Sequence, residues 1–350
     1  MKNITLGKTG ITVPQNAFGA LPIQRVDTDT AVARLRRAYE GGMRLFDTAR
    51  AYSDSEEKLG KAFGGGFIPR ESIVITTKTT AKNPDDFWKD LDTSLEKLQT
   101  DYIDVYQFNI MGQCYRPGDG TGMYECMLEA KRQGKIKHIG GTAHKIGIAE
   151  ELAESGLYET VQYPISYLAD DREIELIKLC NKNNVGVICM KGLAGGLITN
   201  SKAAMAFVGQ FEGTVAIWGI QRDEELSEWL SYMDNTPQMD DEIRKFIDSE
   251  KKELSGEFCR GCGYCMPCTV GIQINQCNRM ALMLRRAPSA GWLSEYWQGE
   301  MKKAEECIEC GKCLPKCPYG LNIPELLKKN IADYKEVIAG NRSEIGRAHV

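Results

Sequence analysis

A surplus of positive charge is missing from this chain: 44 Lys and Arg stand against 48 Asp and Glu, for a formal charge of -4 and a pI near 5.7. Nothing in that balance neutralises a phosphate backbone, so nucleic acid is not an expected partner. Long apolar runs are missing too. None approaches the roughly 18 residues of a membrane span, and the opening "MKNITLGKTG" has no apolar signal core. The expectation is a cytoplasmic protein with no membrane contact. Histidine is scarce, with three in 350 residues. Composition is otherwise ordinary: 42% hydrophobic and 26% charged residues exclude disorder and fibrous repeats and allow a sizeable core.

Cysteine is what the chain has in quantity, with 13 residues. In a large chain without a signal peptide this points to a reducing compartment and to metal or redox use rather than a disulfide framework. Cys114, Cys126, Cys180, Cys189 and Cys277 stand apart and read as small buried hydrophobes. The other eight fall in two windows, "CRGCGYCMPC" from Cys259 to Cys268 and "CIECGKCLPKCP" from Cys307. A C-x2-C pair lets two thiolates reach one metal centre from a single turn. The second window has the bacterial ferredoxin pattern C-x2-C-x2-C-x3-C-P, in which three cysteines hold one [4Fe-4S] cluster and the fourth ligates the other. The crossed pattern predicts Cys259, Cys262, Cys265 and Cys317 for one cluster, and Cys307, Cys310, Cys313 and Cys268 for the second. The first window departs from the pattern, because Cys268 follows Cys265 by only three residues and Thr269 stands where proline is usual; Cys277 is the reserve ligand. Zinc held by four thiolates is the competing reading. Against it, each window carries a third cysteine in phase.

A length of 350 residues fits one large α/β barrel, which absorbs about 250, plus a small appendage. From Asn16 to Ile220, short β-branched or apolar runs alternate with amphipathic stretches. The runs "NAFGAL", "MRLFDT", "SIVITTK", "YIDVYQFN", "IKHIGGT", "ETVQYPI", "VGVICMK" and "TVAIWGI" are eight candidate strands. Eight strand-helix units predict a TIM (β/α)8 barrel. The N-terminal "ITLGKTGITVP" reads as a hairpin able to plug its floor. An acidic helical connector follows, then a small, mainly helical, ferredoxin-like iron-sulfur module too poor in strands to hold together without metal. The expected boundaries are 1–235 for the barrel, 236–255 for the connector and 256–341 for the module. The final "EIGRAHV" resembles a sequencing or cloning remnant, so 343–350 is set aside.

Active sites of such barrels sit at the C-terminal strand ends. Three successive candidate strands finish in polar residues there: Asp47, Lys78 and Asn109, with Tyr52 on the loop after Asp47. An ammonium oriented by a carboxylate would favour phenolate, lower the Tyr52 pKa and make the phenol a better proton donor to a carbonyl.

"FDTARAYSDSEEKLG", "ITTK" and "DYIDVYQF" resemble, in order and spacing, the signature blocks of the aldo-keto reductase superfamily over roughly residues 1–235. That resemblance implies a general acid at Tyr52, tuned by Lys78 and Asp47, with NADH or NADPH as hydride donor. The family's carbonyl-orienting histidine reads Asn109, whose amide can still donate a hydrogen bond but cannot titrate. Its Ser-Asn pair reads Thr142-Ala143, its Gln is kept as Gln162, and its Arg for the 2'-phosphate appears as Glu225. Gly192, Gly195, Gly196, Gln221 and Arg222, after the last two strands, are candidates for a phosphate site; the alternative is that the glycines serve turns and Arg222 is solvated.

End to end, the chain is similar to aldo-keto reductase-like proteins with a C-terminal ferredoxin module. The implied function is an oxidoreductase acting on a small-molecule carbonyl or alcohol, exchanging electrons with a redox partner protein through two [4Fe-4S] clusters. The alternative is a barrel that kept its architecture without turnover, with Lys78 and Asp47 a structural ion pair, serving as an electron-transfer or regulatory nucleotide-binding protein.

Overall fold

The computed structural model describes residues 1–254, 258–286 and 289–341; the remnant expected at 343–350 lies outside them. All eight candidate strands form. After a hairpin of β1 (Asn3–Thr5) and β2 (Thr12–Pro14) come β3 (Asn16–Gly19), β4 (Leu45–Asp47), β5 (Val74–Thr79) and β6 (Ile103–Phe108). They are followed by β7 (Ile136–Thr142), β8 (Thr160–Pro164), β9 (Gly186–Met190) and β10 (Thr214–Gly219). Strands β3 to β10 pair in parallel, in sequence order, and β10 closes onto β3. Because the strands are parallel, their C-terminal ends share one mouth.

The intervening helices start where side chains satisfy the first free amides. Asp27 accepts from the Thr30 amide ahead of helix Thr28–Glu40, Asn83 from Asp86 ahead of Pro84–Leu98, and Asp170 with Glu173 forms a reciprocal cap on Asp171–Lys182. The hairpin closes the opposite end: Ile4, Leu6 and Val13 pack with Ala17, Leu45, Ile188, Val215 and Ile217 in one apolar cluster.

The chain divides into two compact units, residues 1–192 with 202–244, and residues 193–201 with the described residues from 245 onward. The second contains no strand among its described residues; it is built from helices Ile274–Cys277, Met280–Arg286, Glu295–Ala304 and Ile323–Ile338, preceded by Asp241–Glu253. Its core gathers Ile272, Cys277, Met280, Leu284, Met301, Leu327 and Tyr334. The stretch from Ile274 to Arg286 forms two helices rather than one. Asn330 satisfies the backbone at the break: its side chain accepts from the Ala281 amide at 2.9 Å and donates to the Asn278 carbonyl at 3.0 Å. Among the described residues no helix is long and apolar enough to cross a membrane.

Candidate functional site

Strand register builds the barrel site. Asp47 lies opposite Thr76 across β4 and β5, and Lys78, two residues on, shares the Thr76 face by the two-residue period of a strand. Both reach the same carboxylate: Thr76 Oγ1 donates to Asp47 Oδ1 at 2.6 Å, and Lys78 Nζ donates to both Asp47 oxygens at 2.7 Å. A third ammonium bond, 2.6 Å, goes to the Thr48 carbonyl. Lys78 is 1% and Asp47 2% exposed, so the pair is held away from water, with its donors and acceptors matched as a buried ion pair requires. Burial pulls the lysine below its ordinary value, and Asp47 opposes that pull.

Tyr52 stands over this pair on a turn held from below. The Arg50 amide donates to the Lys78 carbonyl at 3.0 Å and the Tyr52 amide to Ala49 at 2.9 Å. Ser53 takes φ +40°, in the left-handed region. Arg50 bonds the buried Glu56 carboxylate, which also accepts from Thr77 at 2.7 Å and Ser94 at 2.8 Å. The Lys78 ammonium lies 5.4 Å from the Tyr52 ring centre. It does not bond the phenol, whose hydroxyl has no hydrogen-bond partner among the described residues. The expected lowering of the Tyr52 pKa is corrected: burial pushes the phenol up, and the Asp47 carboxylate adds to the rise. The lysine charge is spent on Asp47, so the phenol keeps its proton.

Asn109 follows β6 and is 8% exposed. Its Oδ1 accepts from Thr142 Oγ1 at 3.2 Å, leaving Nδ2 without a partner among the described residues. Thr142 ends β7 and accepts from the Ile110 amide at 2.7 Å; Gln162 in β8 accepts from Gln107 at 2.8 Å. Asp47, Tyr52, Lys78, Asn109, Thr142 and Gln162 therefore share one barrel end. His144, two residues beyond β7, is not among the residues singled out above. It is buried, and burial, with Lys191 adding, pulls its pKa down to about 2, so the imidazole stays neutral. Its position directly after Thr142-Ala143 was the available signal.

The expected phosphate residues are divided between the two units. Gly192 packs so tightly on the Trp218 ring that a Cβ there would collide with it. Gly195 and Gly196, at φ +70° and +97°, belong to the second unit, where the Gly195 carbonyl accepts from Arg279 at 2.7 Å. Ahead of helix Asp223–Asp234, the Gln221 and Arg222 amides both donate, at 3.0 Å, to one oxygen of Glu225, and the Arg222 guanidinium pairs with the other at 2.8 Å. A carboxylate of the chain thus occupies the two amides ahead of this helix.

In the second unit the eight clustered sulfurs line two cavities. One is walled by Cys259, Cys262, Cys265 and Cys317 with Tyr319 and Leu321. The other is walled by Cys268, Cys307, Cys310 and Cys313 with Val270, Pro324 and Leu327, and Cys265 reaches it too. Glycines let the backbone wrap: Gly261, Gly263 and Gly311 have φ of +68°, +84° and +70°, and the Gly261 amide points at Cys259 Sγ at 3.4 Å. Cys277 lines neither cavity and is fully buried, its thiol pushed up to about 12 by burial first. Burial likewise pushes Cys265 up to about 12, a cost that a bound cation offsets by holding the thiolate. Among the described residues no three His, Cys, Asp or Glu side chains converge on the position of a single metal ion.

The family model described as aldo/keto reductase family matches residues 13–245, and that described as 4Fe-4S dicluster domain matches residues 258–322. L-galactose dehydrogenase of Arabidopsis thaliana is 28% identical over 292 residues, covering 72% of this chain and 90% of its own. Aldo-keto reductase AFTS1 of Alternaria alternata is 28% identical over 239 residues; the match takes in 55% of this chain and 64% of the relative's length. An aldo-keto reductase from Klebsiella pneumoniae, solved in complex with NADPH, superposes with a TM-score of 0.60 at 22% identity, over 71% of this chain and 94% of its own. That last likeness is one of fold.

Proposed function

The chain belongs to the aldo/keto reductase family and is an oxidoreductase that carries a 4Fe-4S domain; on that premise we propose that its barrel reduces a small-molecule carbonyl, or oxidises the corresponding alcohol, with electrons relayed through two [4Fe-4S] clusters. The observation that carries this reading is a pair of uncommitted donors above a buried ion pair. The Tyr52 hydroxyl and the Asn109 Nδ2 have no partner among the described residues, while Lys78 and Asp47 are locked together at the same barrel end. In this reading Tyr52 holds a proton on its oxygen, kept there by burial and by Asp47, and donates it to the substrate oxygen. Asn109 orients that oxygen through its amide and so replaces an imidazole. Lys78 and Asp47 are positioning residues that keep the strand ends and the Tyr52 turn in register.

The sulfur sets fit iron-sulfur clusters, because one cavity has four cysteines on its wall and the other five, Cys265 being shared, with positive-φ glycines in both cysteine windows. Cys259, Cys262, Cys265 and Cys317 would hold one cluster, and Cys268, Cys307, Cys310 and Cys313 the other. When bound, each supplies one-electron chemistry, and two together match the two electrons of a carbonyl-alcohol couple. NADH or NADPH fits less well. Thr142 and Gln162 are paired across β7 and β8, but Glu225 occupies the amides at the expected phosphate site and would repel a phosphate. The electrons would then come from the module and, through it, from a redox partner protein, with one proton passing from Tyr52 to the substrate oxygen and a second from water to its carbon.

The test is Tyr52→Phe in anaerobically purified protein, reduced by dithionite and assayed against a panel of aldehydes and ketones. Loss of the phenolic proton should lower the rate about 10²- to 10⁴-fold with iron content unchanged. Equal rates in both proteins would favour a barrel without turnover.

A further inference from the structure

Arg279 is the feature of the second unit that neither the barrel chemistry nor the sulfur count explains. It is 7% exposed. Its Nε donates to the Gln276 side-chain oxygen at 3.1 Å and its Nη1 to the Gly195 carbonyl at 2.7 Å. Neither partner is charged, and among the described residues no carboxylate pairs with it. Arg286 shows what this unit does with another buried guanidinium: it is matched by the carboxylates of Glu250 and Glu253. A buried charge without a counter-charge is costly, so the missing anion is expected nearby.

The geometry identifies where. The Arg279 guanidinium lies against the turn between Cys259 and Cys262, close enough that a Cβ on Gly261 would stand 2.8 Å from Nη1. The same turn carries the first sulfur of the set, since the Gly261 amide points at Cys259 Sγ at 3.4 Å. The other sulfur set has a different setting: Cys310 is exposed, and its lysine neighbours, Lys312 and Lys316, stand in solvent, where water and salt screen them.

We infer that Arg279 is the built-in counter-cation of the cluster held by Cys259, Cys262, Cys265 and Cys317, and that it sets this cluster's reduction potential above that of its exposed neighbour. The inference rests on the reading that both sulfur sets carry [4Fe-4S] clusters. Reduction adds one electron, and hence one negative charge, to a cluster; a buried positive charge beside it stabilises the reduced form more than the oxidised one. One electron leaving the exposed cluster then reduces the cluster beside Arg279, with no proton or other reactant required. Cys265, Ile274 and Ile323 line both cavities, so a single wall of side chains separates donor from acceptor. The exposed set is the entry port, and the buried set is the resting place of the electron.

The experiment is a redox titration of the full-length, anaerobically purified holoprotein followed by electron paramagnetic resonance, with iron and sulfide counted on each sample. Wild type should give two midpoints, and Cys310→Ala should abolish the lower. Arg279→Gln should move the upper midpoint to lower potential and leave the other in place, whereas Arg279→Lys, which keeps the charge, should restore most of the difference. Both midpoints unmoved in Arg279→Gln at full iron content would overturn the inference while leaving the clusters themselves established. If Arg279→Gln instead loses half its iron, Arg279→Lys decides. Full iron and a wild-type upper midpoint support a role for charge, and equal loss in both variants overturns it. Wild-type protein without iron and sulfide would remove the underlying reading as well.

Discussion

Replacing Lys78 by methionine tests the barrel site at its most buried point. The side chain has nearly the same length and packs without a charge, so the cavity stays filled while three hydrogen bonds, two to Asp47 and one to the Thr48 carbonyl, are lost. Asp47 is then left 2% exposed with, among the described residues, only the Thr76 hydroxyl, at 2.6 Å, on its carboxylate. Breaking one side of a buried pair typically costs about 3–5 kcal/mol, a large share of the roughly 5–15 kcal/mol that holds a domain folded. The double variant Lys78→Met with Asp47→Leu removes both charges, and such replacements are often neutral. It should therefore be more stable than the single variant despite carrying one more change. Urea unfolding followed by far-ultraviolet circular dichroism, with all proteins handled anaerobically, reads both numbers. A single variant within about 1 kcal/mol of wild type, or a double variant no better than the single, would refute the view that these two charges are locked to each other.

Three further outcomes follow from the geometry. Because burial and Asp47 hold the Tyr52 phenol above its ordinary value, the proton donor stays loaded to higher pH than a free phenol near 10. The rate should stay level up to that pH, and Asp47→Asn should bring the alkaline fall to lower pH, since it removes an anion that raises the phenol; a fall at unchanged pH would contradict the assignment. Asn109→Leu, which removes the free Nδ2 donor, should cost roughly 10²- to 10³-fold in kcat with fold and iron content intact, checked by steady-state kinetics. Cys310→Ala should lose one cluster, seen as about half the iron, whereas Cys277→Ala should keep all of it, because Cys277 lines neither sulfur cavity.

The barrel was legible because parallel strands buried on both faces read as short apolar runs, and the eight runs named from sequence are the eight strands observed. The polar residues at their ends were legible for the same reason: Asp47, Lys78 and Asn109 interrupt apolar patterns at positions where a barrel opens. The pKa direction of Tyr52 was not, because it depends on whether Lys78 points at the phenol or at Asp47, and a linear sequence does not record side-chain direction. Glu225 was legible as a departure, but its bonds to the Gln221 and Arg222 amides depend on a side-chain rotamer. Spacing proposes two sets of four cysteines, while the structure lines one cavity with four and the other with five, Cys265 being on both walls. Arg279 was not legible at all, since an arginine between Asn278 and Met280 looks solvent-exposed until the fold buries it.

The most direct test of the central claim is the analysis of iron and acid-labile sulfide in the anaerobically purified, full-length protein. The account predicts about eight iron and eight sulfide per chain, with two interacting paramagnetic signals on reduction. Zinc at one or two per chain with no sulfide would contradict it.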